Sequence, residues 1–395
     1  MTSKKSINEM FTRRRFLEAS GMVAGGALLG ACGSDGETAT ATTAAPAATT
    51  AAPAATDAAT TAAPAGGGIP MTTMSDVTLG YNNPNSVLRA PIFVGQTKGF
   101  FAEVGIENIE VNDADEYMSA LVSGSFDIAL ADSDVMFGFN ETENADESLG
   151  IKMIGVNQGS QPLIMIANEG VSADNLGGLK IGGARAGSVN EAISKFILNE
   201  LGYDWETDVE FTTLTGGSND WVTAMLSGQI DATVAFPRHI GLATAEGGSA
   251  LFQEFLSAPQ AGFATTQAVR DQDPGFSAAW NYAWIKSQRY CKTQANKEEV
   301  ISIMEDEWGF EVIPTLQDVY DVVSNIYTGD NGFDPAEMDA WMDFIGPFND
   351  VPDDINARWR NYFDLSGLHV AQEALGLPIN PAADLSSGTT TTENF

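Results

Sequence analysis

The chain has 395 residues, of which 44% are hydrophobic and 18% charged, and its formal net charge is -34. So strong an excess of negative charge excludes nucleic acid and anionic lipid headgroups as partners of the folded part. The chain has only two cysteines, Cys32 and Cys291, which excludes an internal disulfide framework and a thiolate metal site.

The first 31 residues have the pattern of an export signal. Thr12–Leu17 (TRRRFL) is typical of a twin-arginine motif. The Gly- and Ala-rich stretch from 19 to 31 is shorter than the about 20 apolar residues that a membrane span needs. It ends in Leu29-Gly30-Ala31-Cys32, which is typical of a lipobox. Cleavage there predicts Cys32 as a lipidated N-terminus, and residues 32–395 would carry 14 basic and 51 acidic side chains, a net charge of -37.

A segment of almost pure Ala, Thr and Pro follows the signal. It has nearly no large apolar side chains, so it cannot offset the entropy cost of ordering. The composition predicts a disordered, loosely extended tether over residues 32–70 and a disordered polar tail over residues 378–395. The remaining about 300 residues suffice for two lobes with sizeable cores.

An internal repeat gives the strongest evidence on architecture. Tyr117–Asp132 (YMSALVSGSFDIALAD) and Trp221–Phe236 (WVTAMLSGQIDATVAF) match at a constant offset of 104 residues with five identities. Each copy is typical of a helix end, a Gly at the terminating position and a short apolar strand. Together with predicted upstream strands at Val77–Tyr81 and Leu179–Gly183, each copy predicts a strand–helix–strand–helix–strand unit and therefore a parallel sheet. The sequence predicts an α/β fold with two similar lobes.

Helical patterns after the second lobe predict a return to the first. Gly262–Val269 is expected to be a short strand, and Asp334-Pro335-Ala336-Glu337 predicts a capped helix start. Trp280 and Trp284 are expected to anchor a core. The predicted boundaries are 71–167 for the first part of lobe one, 168–257 for lobe two and 258–377 for the helical return to lobe one.

Open parallel sheets bind ligands beyond the carboxyl ends of their strands, so the space between the lobes is the expected site. The loops that follow these strands supply the candidates. The predicted ligand-binding residues are Tyr81, Asn82, Asn83, Asn85, Arg89, Asp132, Ser133, Asn157, Gln158, Arg185, Gly187, Ser188, Val189, Phe236 and Arg238.

A family resemblance supports this architecture. Val77–Phe101 (VTLGYNNPNSVLRAPIFVGQTKGFF) resembles the opening of the nitrate/sulfonate/thiamine-precursor branch of periplasmic-type binding proteins. The shared elements are Gly80-Tyr81, Pro84-Asn85, Ala90-Pro91, Lys98-Gly99-Phe100-Phe101 and Glu103-Val104-Gly105-Ile106, the S-G-x-x-D segments at Ser123 and Ser227, and the strand entry at 175–182. The resemblance extends over roughly residues 77 to 308.

The resemblance implies a type 2 periplasmic-binding fold with two crossovers between lobes, near Ile166–Asn168 and Leu256–Phe263. It also implies a solute-binding component of an ABC importer, tethered outside the cell membrane as a monomeric lipoprotein, which delivers its solute to a membrane permease. Many members of this branch carry His before the Ala-Pro pair, where this chain has Arg89, so the solute itself does not carry over.

The residues leave the solute open among three classes, one of which is a cationic or amide-bearing solute that Asp132 and Asp134 would suit. The guanidinium groups of Arg89, Arg185 and Arg238 suit a sulfonate- or nitrate-type anion. Tyr81 and Phe236 would stack on a flat, pyrimidine-like ring. Ser188 heads an S-x-x-E capping box, so plain helix capping is an equal interpretation of its hydroxyl.

Enzymatic alternatives fit the sequence poorly, and no cofactor or metal is expected. Ala184 replaces the middle glycine of a dinucleotide fingerprint at 182–187, and no acidic residue ends the next strand. The chain has two histidines, His239 and His369, and no G-x-S-x-G element. His239 is expected to be a polar residue at the cleft rim or surface. A tethered sensor without transport remains as an alternative to the importer component.

Overall fold

The computed structural model describes residues 68–81, 89–114, 116–142, 149–184, 188–308, 326–346 and 359–379. They belong to the second of two compact units, which spans Ala65–Phe395, the first being Met1–Pro64. The predicted export signal, Cys32 and most of the Ala/Thr/Pro tether lie outside the described residues. No helix in the described ranges combines the length and the apolar character of a membrane span.

Eight strands in the described residues form one continuous β-sheet. They are β1 (Asp76–Tyr81), β2 (Asn108–Asp113), β3 (Ile128–Asp132), β4 (Lys152–Ala167), β5 (Lys180–Gly183), β6 (Glu210–Thr213), β7 (Ala232–Val234) and β8 (Ser249–Thr265). The spatial order is β2-β1-β3-β8-β4-β7-β5-β6. Strands β1–β3 pair in parallel with one another, as do β5–β7.

Helices connect and cover these strands. Their bounds are α1 (Ala90–Thr97), α2 (Tyr117–Val122), α3 (Ser133–Thr142), α4 (Val189–Glu200), α5 (Ser218–Leu226), α6 (Pro237–Ala245), α7 (Gln267–Gln272), α8 (Phe276–Lys292), α9 (Lys297–Trp308), α10 (Pro335–Ile345) and α11 (Ser366–Ala374). Short 3-10 turns occupy Ala102–Val104, Gln294–Asn296 and Trp359–Tyr362.

The internal repeat is confirmed as two equivalent halves. Gly124 and Gly228 have φ of 76° and 75° and reverse the chain after equivalent helices, a conformation that glycine adopts without steric cost. Three residues later, the repeated aspartates have the same role. Asp127 accepts a hydrogen bond from the backbone N–H of Thr78 on β1 at 2.8 Å, and Asp231 accepts one from that of Lys180 on β5 at 2.8 Å. Both aspartates thus fix the register of the strand that enters each half.

The two halves are joined by the long antiparallel strands β4 and β8. The end of β4 pairs with β7 at Met165–Ala167, whereas the end of β8 pairs with β3 at Ala261–Ala264. The chain therefore passes between the halves inside these strands, earlier along β4 than the crossover predicted at Ile166–Asn168. The prediction that this strand begins at Gly262 is wrong, because β8 begins at Ser249. The N-terminal part of β8 is held by pairing with β4. The register of β4 against β8 shifts four times, and most shifts lie between 153 and 160.

A chain segment at 326–331 supports the irregular part of β4. It runs antiparallel to β4, and the backbone N–H of Thr328 donates to the carbonyl of Asn157 at 3.1 Å. Asn331, which has a φ of 60°, is held by a buried amide chain. Its Nδ2 donates to Asn281 Oδ1 at 2.7 Å, and its Oδ1 accepts from Gln288 Nε2 at 2.6 Å. Buried amides that satisfy one another stabilise one arrangement strongly.

The core of the first half is aromatic. Trp280 and Trp284 on α8 are fully buried and stack with ring centroids 6.0 Å apart, and Phe263 of β8 lies 4.4 Å from Trp284. The prediction that these tryptophans anchor a core is confirmed.

Asp273 fixes the first residues of the folded unit. Its Oδ2 accepts hydrogen bonds from Thr72 Oγ1 at 2.6 Å and from both the N–H and the Oγ1 of Thr73, at 2.6 and 2.9 Å. Its Oδ1 accepts from the N–H of Gly275 at 2.8 Å. Burial would raise the pKa of this carboxyl, but these hydrogen bonds outweigh burial and lower it to about 2.

Candidate functional site

The candidate site lies where β1 and β3 of one half and β5 and β7 of the other end. Tyr81 is the last residue of β1, Asp132 the last of β3, and Phe236 follows β7 directly before α6. Asp132 is partly exposed and opposite Ala261 of β8. Asn82, Asn83, Asn85, Arg185 and Gly187 lie outside the described residues, so their place at the site stays a prediction.

Arg89 and Tyr81 form the part of the site that the first half contributes. Arg89 directly precedes α1, and Pro91 in its first turn needs no N–H partner. The Arg89 guanidinium carbon lies 4.8 Å from the centre of the Tyr81 ring, a cation–π distance. Both side chains are buried, at 5% and 7% exposure. The first half thus presents a cation at the end of its central strand.

Arg238 forms the matching part of the second half. It lies in the first turn of α6, its Nη2 donates to Ser218 Oγ at 2.7 Å, and its guanidinium carbon lies 5.2 Å from the Phe236 ring centre. Burial lowers the pKa of Arg238. Arg238 takes part in none of the ion pairs formed among the described residues. Arg238 therefore lies against Phe236 in the second half as Arg89 lies against Tyr81 in the first.

The prediction that His239 lies at the cleft rim or surface is wrong, because this side chain is a buried cap. Its exposure is 1%, its Nδ1 accepts from the N–H of Phe236 at 3.2 Å, and its Nε2 lies 3.0 Å from Asn219 Oδ1. Because Nδ1 accepts a hydrogen bond, the proton of the neutral imidazole is on Nε2. The Nε2–H group then donates to Asn219 Oδ1. With both ring nitrogens engaged, His239 ties the start of α6 to the start of α5, and it is unsuited to act as a general base.

Folding stability should depend on the protonation of His239. Burial, aided by the charge of Arg238, lowers its pKa from 6.5 to about 3. The unfolded chain then binds a proton that the folded chain rejects, so stability is full above pH 6.5 and falls as the pH drops towards 3. Between pH 6.5 and 5 this group alone should cost about 2 kcal/mol.

Urea unfolding of the wild type and of His239→Gln at pH 7.5, 6.5, 5.5 and 5.0 would measure this effect. The gap in unfolding free energy between the two proteins should narrow as the pH falls. His369→Gln is the control for the loss of a less deeply buried histidine. Plots of unfolding free energy against pH that stay parallel for the wild type and His239→Gln would contradict the assignment.

Ser133 is a predicted site residue that forms a hydrogen bond with a distant helix. It is fully buried at the start of α3, and Trp341 Nε1 of α10 donates to its Oγ at 3.2 Å. Because the indole N–H takes up an acceptor position of the hydroxyl, the Ser133 proton is directed elsewhere. Trp341 therefore orients Ser133 as a hydrogen-bond donor at the end of β3.

The two predicted residues of β4 differ in their bonding. Asn157 is fully buried, and neither its amide nitrogen nor its amide oxygen has a hydrogen-bond partner in the part of the chain that the structure describes. Gln158 Nε2 donates to Gln161 Oε1 at 3.4 Å and to the carbonyl of Ser160 at 3.3 Å. A buried amide without partners is costly, so the Asn157 side chain is suited to bind a solute or a water molecule.

Ser188 and Val189 lie at the start of α4. Ser188 caps the helix, its Oγ accepting from the N–H of Glu191 at 3.3 Å, as the capping interpretation predicts. Val189 is buried at 6% exposure. The helix start remains available for a solute through its backbone N–H groups, which favour anions.

The structure adds residues that the sequence did not single out. Ser218 and Asn219 hold Arg238 and His239 at 2.7 and 3.0 Å, and Trp341 holds Ser133. Residues 216–220 (GGSND) extend over the start of α5. A Ser/Asn-containing helix start of this kind is a weak sequence signal for Ser218 and Asn219. No local pattern marks Trp341. Among the described residues, no three His, Cys, Asp or Glu side chains are grouped to hold a metal ion.

Solved structures share this fold. The periplasmic nitrate-binding protein NrtA from Synechocystis PCC 6803 aligns with a TM-score of 0.59 and 16% identity, over 78% of this chain and 91% of that chain. The ligand-binding component of an ABC-type import system from Staphylococcus aureus aligns with a TM-score of 0.56 and 13% identity, over 76% and 100% of the two chains. The protein is thus an α/β protein with the periplasmic-binding-protein fold, as the sequence predicts, and the parallel strands of its two halves belong to one eight-stranded sheet flanked by helices.

The family follows from the sequence match. Residues 72–305 match the NMT1-like family, and this chain belongs to it. It is 22% identical to the protein YtlA of Bacillus subtilis (strain 168) over 240 residues, which cover 57% of this chain and 68% of that protein.

Proposed function

We propose that this chain is the extracytoplasmic solute-binding lipoprotein of an ABC importer, which captures a small anion between two lobes and delivers it to a membrane permease. The observation that carries the proposal is an arginine against an aromatic ring at a strand end in each half, Arg89 at Tyr81 and Arg238 at Phe236. A guanidinium fork suits the oxygens of an oxyanion, so a site with one arginine from each half suits a nitrate- or sulfonate-type solute.

The charge of the chain supports this interpretation. Residues 32–395 contain only 14 basic side chains against 51 acidic ones. Each half places one of these few cations against an aromatic ring at a strand end, within a chain whose overall field repels anions. Such a local reversal of sign requires specific placement, and a nitrate-binding protein is among the proteins that share the fold.

Lobe closure is the proposed mechanism. An anion that bridges Arg89 and Arg238 interacts with both lobes only when they are closed, so binding favours the closed form in proportion to that difference. We assign the first lobe to 71–167 and 258–377 and the second to 168–257, with β4 and β8 as the connection. The permease would recognise the closed form.

The membrane attachment is part of the proposal and rests on the sequence alone. A signal over residues 1–31, lipidation at Cys32 and a tether over 32–70 would hold the monomeric folded unit at the outer face of the membrane. No catalytic role and no cofactor are proposed, because the one histidine near the site has both ring nitrogens in hydrogen bonds.

A flat heterocycle of the thiamine-precursor type is the second candidate. Tyr81 and Phe236 place two rings at the site, although each ring already has a guanidinium over one face. A tethered sensor would use the same geometry, and co-purification of a permease separates it from an importer component.

Thermal unfolding of the purified chain against nitrate, methanesulfonate, taurine, bicarbonate, hydroxymethylpyrimidine, thiamine and riboflavin tests the proposal. A solute at 100 times its Kd should stabilise the fold by about 2.7 kcal/mol, which raises the Tm by several degrees. A rise with an anion supports the proposal, and a rise only with the heterocycles selects the second candidate. No rise with any of them, in a folded sample, contradicts both.

A further inference from the structure

One face of α10 contacts three different parts of the molecule. Glu337, Trp341 and Phe344 are spaced at i, i+4 and i+7, which places them on the same side of the helix. Asp334 caps this helix as predicted, its Oδ1 accepting from the N–H of Ala336 at 2.8 Å. The helix is thus a defined rigid element over its 11 residues.

The first contact is with the strand that joins the halves. Ser257 Oγ of β8 donates to Glu337 Oε1 at 2.6 Å. Ser257 is opposite Ser160 of β4, between the stretch that pairs with the second half and the stretch that pairs with the first. The start of α10 is therefore fixed to the midpoint of the connection.

The other two contacts belong to opposite halves. Trp341 donates to Ser133, the first residue of α3 in the first half, at 3.2 Å. Phe344 stacks on Trp341 with centroids 5.5 Å apart, and it meets Phe196 of α4 in the second half edge-to-face at 5.0 Å. Phe344 is 1% exposed, so this ring is buried between the two halves.

We propose that Phe196, Trp341 and Phe344 form an interlobe latch that sets the equilibrium between open and closed lobes. This inference deepens the proposed function, since lobe opening is what admits and releases the solute. The latch contacts do not include Arg89 or Arg238, so closure is stabilised by protein contacts as well as by solute. Edge-to-face aromatic pairs add stability beyond the area they bury.

The latch can be tested without any solute. In a Cys32→Ser background, Glu107→Cys and Glu206→Cys place spin labels on exposed positions of the first and second halves, while the native Cys291 is buried. Pulsed electron–electron double resonance then gives the distribution of distances between the two spin labels, one on each lobe. The wild type should give one dominant short distance.

Phe196→Ala should add a second population with a longer distance between the labels. The ratio of closed to open protein should fall at least about tenfold. Phe196→Asp should lower it further, because the carboxylate is hydrated only when the lobes are apart. Phe211→Ala is the matched control. Phe211 is also half-buried in the second half, but its ring contact is with Trp205, at 5.7 Å within that half.

A Phe196→Asp protein with native circular dichroism and the wild-type distance distribution would overturn the latch. Equal effects of Phe211→Ala and Phe196→Ala would overturn it as well. Neither outcome depends on the solute panel, so failure of the latch and failure of the anion-binding proposal are separate results.

Discussion

Arg238→Met should weaken binding of the anionic solute by at least about a hundredfold. Charge-assisted hydrogen bonds in a desolvated site are worth about 1.5–3 kcal/mol each, and a guanidinium offers two in parallel. The substitution keeps an apolar side chain of similar length, so that it removes the charge without leaving a large cavity. It also removes the donor to Ser218 Oγ.

Isothermal titration calorimetry with the anion that gives the largest rise in Tm would measure the change. Arg238→Lys keeps the charge and loses the planar fork, so its affinity should be intermediate. Arg360→Met is the matched control, because the Arg360 guanidinium likewise binds a polar side chain, that of Asp339, and lies over an aromatic ring, that of Trp359. An unchanged Kd for Arg238→Met in a folded protein would remove Arg238 from the site.

Gly262→Ala should destabilise the fold by about 3 kcal/mol, at the upper end of what overpacking costs. A Cβ at this position would lie 2.2 Å from the carbonyl oxygen of Gly155 and 2.8 Å from Met153 Sδ. Gly262 is held on both sides, opposite Ala131 of β3 and Val156 of β4, so the backbone cannot move away.

Urea unfolding of Gly262→Ala would measure this loss against Gly177→Ala. The nearest heavy atom to a Cβ at Gly177 is the carbonyl oxygen of Asp208, 4.0 Å away, so that variant should stay within about 0.5 kcal/mol of the wild type. Similar stabilities of the two variants would mean that β4 and β8 approach each other less closely than described.

The sequence predicts the two halves well because their signals are local. A Gly at φ near 75° and an Asp that holds the next strand recur at the same offset, so periodicity and turn chemistry suffice. The same holds for Ser188 and Asp334, whose caps depend on neighbours two or three residues away.

The connection between the halves was predicted less well. The first part of β8 (SALFQEFLSAPQA) lacks alternation and contains Pro259, which has no N–H to donate. It is a strand because β4 supplies a partner along its length and because Pro259 falls where the register shifts. That pairing joins residues about 90 positions apart and leaves no local signal.

The candidate site shows the same division. Tyr81, Arg89, Phe236 and Arg238 could be predicted because each follows a recognisable strand. That Arg238 meets Ser218, and that Trp341 reaches Ser133 over 208 positions, depends on tertiary packing alone. His239 was misplaced for this reason, since its burial follows from Asn219 and Phe236 meeting at two helix starts.

The hydrogen bonds of Asp273 have a mechanical consequence. Tension that arrives along the chain from before residue 68 is applied first to Thr72 and Thr73, where three hydrogen bonds to one carboxylate oxygen resist it together. The load then passes through Gly275 into α8, the longest helix of the described first half. The second half lies off this load path, so tension applied before residue 68 would neither open nor close the cleft.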